Sequence, residues 1–108
     1  MAFFDMTAIQ AKTLIQGISM KAVYGEQLML MVVDLEAGAV LPTHHHHHEQ
    51  MGMVLEGELH FTIGEETKIC SAGDTYLIPS NIIHSVTVSQ AGPAKVLDVF
   101  NPPREDYK

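Results

Sequence analysis

The chain has 108 residues, 46% of them hydrophobic and 18% charged, a composition that supports a buried core and excludes a largely disordered or fibrous chain. Six basic residues stand against 13 acidic ones, a formal net charge of -7, so the surrounding field repels polyanions and argues against a nucleic-acid partner. The one cysteine, Cys70, excludes an intramolecular disulfide and suits a reducing compartment; the expected location is the cytoplasm.

The N-terminal Met1-Ala2-Phe3-Phe4-Asp5 has no basic region, and Asp5 interrupts any apolar run long enough for a signal peptide. A helical turn or two is predicted within Asp5 to Gln16, where Ile9, Leu14 and Ile15 have ambiguous spacing. The longest apolar stretch runs from Leu28 to Val33, far short of the roughly 18 residues a membrane span requires, and reads as a buried strand. No membrane partner is expected. Further strand-length segments are punctuated by Ala37-Gly38, Gly57, Gly64-Glu65, Ala72-Gly73-Asp74, Pro79-Ser80-Asn81 and Ala91-Gly92-Pro93. Short strands with regular turn signals predict an all-β sandwich or barrel, here a single domain over residues 1–108.

Alternation assigns faces, because successive strand side chains point to opposite sides. Leu59, Phe61 and Ile63 share one face of their strand, with Glu58, His60 and Thr62 on the other. Leu28 to Val33 and the Met51, Met53, Leu55 series place apolar groups on a second face as well. In so small a barrel that face needs a cover, and a second copy is the simplest one, so a homodimer is expected.

The segment Pro42 to Gln50 contains five consecutive histidines. A purification tag is the competing reading, but the run is internal and leads directly into a strand pattern. On a strand, His44 and His46 share a face and can converge on one ion, while His45 and His47 point away. Imidazole suits zinc, iron, nickel or copper. His60 reads as a solvated residue, His48 as a group at the pocket mouth with no role assigned, and the seven methionines as core filler.

The spacing Gly38, His44, His46, Gln50, Gly57 resembles the first cupin motif, and Gly73, Pro79, Asn81, His84 resembles the second. The resemblance covers about residues 38–57 and 73–88 and implies a double-stranded β-helix, the jelly-roll barrel. It also implies one divalent metal ion (zinc, nickel, iron or manganese) held by His44, His46, Gln50 and His84. Gln50 stands where the motif usually has an acid, leaving a neutral ligand set; Glu49 is the alternative fourth ligand, although strand parity favours Gln50. Asn81 stands where the motif usually has glycine, and asparagine tolerates the left-handed turn.

In the last strand, Val96-Leu97-Asp98-Val99-Phe100, Asp98 is the one acid, and a buried carboxylate needs a partner or a use. Pro102 and Pro103 end the ladder, so Arg104 can fold back over the pocket mouth, where its planar fork suits a carboxylate. Together with Glu49 to Glu58, the string Asp98, Phe100, Pro102, Arg104 resembles the small pectin-degradation cupins, which convert 4,5-unsaturated uronates into linear keto acids. That resemblance implies an isomerase acting on a small anionic sugar acid, with Asp98 and Arg104 catalytic and Phe100 and Arg104 binding substrate. A metal-dependent dioxygenase and a non-catalytic sugar-binding or metal-sensing cupin remain the alternatives.

Overall fold

The computed structural model describes residues 2–108. Ten strands run in the order β1 (Lys12–Ile15), β2 (Ile18–Tyr24), β3 (Met29–Leu35), β4 (Val40–His44), β5 (Glu49–Glu56), β6 (Glu58–Ile63), β7 (Glu66–Ser71), β8 (Thr75–Ile78), β9 (His84–Val88) and β10 (Ala94–Asn101). They form two antiparallel sheets, β1-β2-β3-β10-β5-β8 and β4-β9-β6-β7, stacked as a jelly roll. The all-β expectation and its jelly-roll form are met.

Alternation accounts for the core. In β10, Ala94, Val96, Asp98 and Phe100 point inward and are buried, while Lys95, Leu97 and Val99 face out. In β6, Leu59 and Phe61 are buried and His60 is exposed, as its position on the polar face predicts. From the six-stranded sheet, Met20, Met29, Met31, Val33, Val54 and Ile78 meet Leu59, Phe61, Val86 and Val88 of the other. Methionine's unbranched, flexible chain fills the irregular gaps between sheets of unequal width.

The helix predicted within Asp5 to Gln16 shrinks to one 3-10 turn, Met6–Ala8. Asp5 caps it, its carboxylate accepting from the Thr7 amide at 3.0 Å and the Thr7 hydroxyl at 2.6 Å. Lys12–Ile15 instead pairs with β2, so cross-strand pairing overrides a weak helical pattern. Turn chemistry is strict between β5 and β6 and before β9. Gly57 has φ +86, and a Cβ there would lie 2.5 Å from the Pro93 carbonyl oxygen, so only glycine fits between β5 and β6. Asn81 has φ 65, the left-handed conformation anticipated for it.

Candidate metal centre

The β4–β9 ladder sets His44 directly across from His84. His46 does not extend β4 as alternation suggested: the strand ends at His44, and His46 lies in the loop before β5. The loop nevertheless turns its ring back, with ring centroids 5.9 Å from His44 and 5.0 Å from His84, and 4.2 Å between His44 and His84. A ligand nitrogen from each of the three lies within 4.8 Å of the others, so the three histidines could hold a metal ion. Gln50, on β5, is buried, whereas Glu49 is exposed on the opposite face.

Each of the three imidazoles is oriented by a backbone carbonyl. The Nδ1–H of His44 donates to Pro42 (2.8 Å), that of His46 to His48 (3.0 Å) and that of His84 to Ile82 (2.9 Å). In a neutral imidazole this leaves Nε2 as a bare lone pair facing the site. His48 thus serves through its main chain. His46 Nε2 lies 3.1 Å from Gln50 Oε1, two acceptors with no proton between them. A cation resolves that opposition, and 3.1 Å suits neighbouring ligand atoms each about 2.1 Å from one ion. The donor set therefore fits a divalent metal.

Burial keeps these rings ready to bind. The His46 pKa is lowered from 6.5 to about 4, first by burial and then by the charges of Arg104 and His84, and that of His84 is also lowered, chiefly by burial. Both are neutral at pH 7, the form that coordinates.

An interior cavity is lined by His44, Gln50, Tyr76, His84, Asp98, Phe100 and Arg104, among others. Asp98 is buried and accepts a 2.6 Å hydrogen bond from the Tyr76 hydroxyl. Burial raises its pKa from 3.8 to about 6, against the opposing hydrogen bonds from Tyr76 and Gln50. Phe100 lines the same cavity, its ring edge-on to that of His46 at 5.8 Å between centroids. Arg104 folds back as anticipated: its guanidinium lies 4.3 Å from the Tyr107 ring centroid and 5.5 Å from that of Phe100. Its fork grips Asp106 by two hydrogen bonds, Nε at 3.3 Å and Nη2 at 3.1 Å. Sequence reasoning missed Tyr76 and Tyr107. Tyr107 follows Arg104 closely enough for an aromatic wall to be suspected, but the reach of Tyr76 depends on strand register.

The cupin domain family matches residues 31–100, the stretch that carries His44, His46, Gln50 and His84. The chain belongs to the cupins. Among solved structures, this cupin is similar to an RmlC-like cupin from Shewanella frigidimarina (TM-score 0.92, 25% identity, 100% of this chain and 96% of that one). It is also similar in shape to KdgF from Halomonas sp. (TM-score 0.90, 28% identity, 99% and 98% covered). The polyketide cyclase RemF from Streptomyces resistomycificus shares the fold at 17% identity (TM-score 0.84, 97% and 82% covered). No curated protein sequence matches the chain. Among the described residues, no helix is long and apolar enough to cross a membrane.

Proposed function

We propose that this cupin is a metal-dependent isomerase that opens the ring of 4,5-unsaturated uronates, or a similar small sugar acid, and releases the linear keto acid. The observation that carries the reading is Asp98, a buried carboxylate with a pKa near 6, lining the same cavity as Phe100, Arg104 and two members of the histidine cluster, His44 and His84. The resemblance of the Asp98 to Arg104 string to the pectin-degradation cupins supports it, as does the near full-length likeness to KdgF.

His44, His46, Gln50 and His84 would hold a divalent ion, which supplies Lewis-acid polarisation of substrate oxygens. Asp98 takes the proton of the anomeric hydroxyl as the ring C–O bond breaks, and returns a proton to the vinylic carbon as the enol becomes a ketone. The net change is an isomerisation, so no further reactant is needed. A pKa near 6 suits both steps, because the group can hold and release a proton close to neutrality. Arg104 pairs with the uronate carboxylate and Phe100 packs against the ring. The active form is a cytoplasmic homodimer.

Proton NMR of unsaturated galacturonate, incubated with protein loaded in turn with zinc, nickel, iron(II) or manganese, tests the reading. The vinylic signal should decay faster than in buffer without oxygen uptake, and Asp98→Asn at saturating metal should slow the decay by about 10²–10⁴-fold. Oxygen consumption would point to the dioxygenase class. Binding without turnover under every metal would make the protein a sugar-binding cupin.

A further inference from the structure

The Tyr76 hydroxyl reaches Asp98 across the inner face of β5 at Gly52. Gly52 pairs with Asp98 on one side and with Tyr76 on the other. A Cβ at Gly52 would overlap both the Asp98 carboxylate and the end of the Tyr76 ring, so the hydrogen bond between them occupies the space a side chain would fill. Two residues along the same ladder, Gln50 pairs with Phe100, which places its side chain diagonally beside Asp98 on the inward face.

Asp98 is anchored by Tyr76 at 2.6 Å, and the buried Gln50 amide, its diagonal neighbour on the inward face, also acts on the carboxylate as a donor that holds its pKa down. Only the NH₂ end of an amide can donate to a carboxylate, so that contact fixes which way Gln50 is turned. With NH₂ toward Asp98, Oε1 faces the imidazole lone pairs, and it is indeed the atom 3.1 Å from His46 Nε2. Turned over, the amide would aim two hydrogens at the metal position and lose its oxygen as a ligand.

We propose that Tyr76 is a positioning residue for the metal: through Gly52's open side it locks Asp98, and Asp98 holds the Gln50 amide with its oxygen toward the ion. The inference rests on the metal-ligand reading of Gln50 and adds to it the device that makes a neutral amide a dependable ligand. It gives Asp98 a second task, independent of proton transfer.

Zinc affinity, measured by competition with a chromophoric chelator, tests this without reference to turnover. Tyr76→Phe should weaken zinc binding by about 10–100-fold, the range expected for residues that orient a ligand. Gln50→Ala should weaken it at least as much, and the double variant should bind no more weakly than Gln50→Ala alone, because Tyr76 acts only through that amide. Losses that multiply, or a Tyr76→Phe variant that binds zinc like the parent, would overturn the proposal while leaving Gln50 a ligand. Unchanged affinity in Gln50→Ala would overturn the ligand reading and the proposal together.

Should Tyr76→Phe fail to fold, an inverted pair gives the same answer. An amide introduced by Asp98→Asn can accept from Tyr76 and must then donate toward position 50, turning the Gln50 amide over. A carboxylate introduced by Gln50→Glu accepts that hydrogen bond and still offers the ion an oxygen. The gain in zinc affinity from Gln50→Glu should therefore be at least about tenfold larger in the Asp98→Asn background than in the parent. Equal gains in the two backgrounds would refute the orientation device.

Discussion

Burial moves the pKa values of Asp98 and His46 in opposite directions. Asp98 rises from 3.8 to about 6, so its protonated form favours the fold: that contribution is present below pH 3.8 and is lost as pH climbs through about 6. His46 falls from 6.5 to about 4, so its contribution is present above pH 6.5 and is lost as pH drops through about 4. The metal-free protein is thus pulled both ways between pH 4 and pH 7. Asp98→Asn removes one of the two pulls. The stability of that metal-free variant relative to the parent should improve by about 3 kcal/mol on going from pH 4 to pH 7, roughly two pKa units of linkage. Urea unfolding across that range measures it. A difference independent of pH would mean that the Asp98 carboxylate is solvated and ionises normally.

At the scale of the strand, β5 does two jobs with alternate residues. Gln50, Gly52 and Val54 face the interior, and Gly52 is the position where the Asp98–Tyr76 hydrogen bond lies over bare backbone. Gly52→Ala should push that bond apart, lowering stability by about 1–3 kcal/mol as an overpacked core does. It should weaken zinc binding alongside, whereas Gly25→Ala, at a site with open space, should leave metal affinity unchanged. Wild-type zinc affinity in Gly52→Ala would show that the Asp98 carboxylate can shift without consequence for the ligands.

The same strand marks how far sequence alone reaches. Gln50 and Glu49 are separated by parity, a local property, and so are the two faces of β6 and β10. His84 is legible only through the resemblance of Gly73, Pro79, Asn81 and His84 to the second cupin motif. The meeting of Tyr76 and Asp98 joins β8 to β10 across β5, and no local pattern encodes the register of three strands. Alternation extended past His44 puts His46 on a strand, one residue pair beyond where β4 ends. Its ring still arrives at the site, because the His48 carbonyl rather than strand geometry orients it.

Over the whole molecule, the outer face of the six-stranded sheet is the feature that a lone copy leaves without purpose. Strand register aligns Val23, Leu30, Val99, Met51 and Leu77 in one row across five strands. A second row, Val32, Leu97 and Met53, runs beside it. At about 4.8 Å per strand the first row extends roughly 19 Å. Phe4 reaches only the end of it near Val23, Leu30 and Val99, while Met51 at 56% and Leu77 at 46% stay exposed. Apolar rows of this length are uncommon on the surface of a monomer, and such a face suits a second copy of the same chain. Each copy carries a formal net charge of -7, so pairing works against mutual repulsion that salt screens. Light scattering at micromolar concentration should therefore give about twice 11.9 kDa, with the paired fraction rising as salt is added. Met51→Lys with Leu77→Lys places two charges at adjacent positions in the row and should yield a folded monomer. A parent protein that stays monomeric at high salt would show that this face is simply solvated. A double variant that still pairs would show that two copies meet elsewhere, with the edge strands β1 and β7 the next surfaces to test.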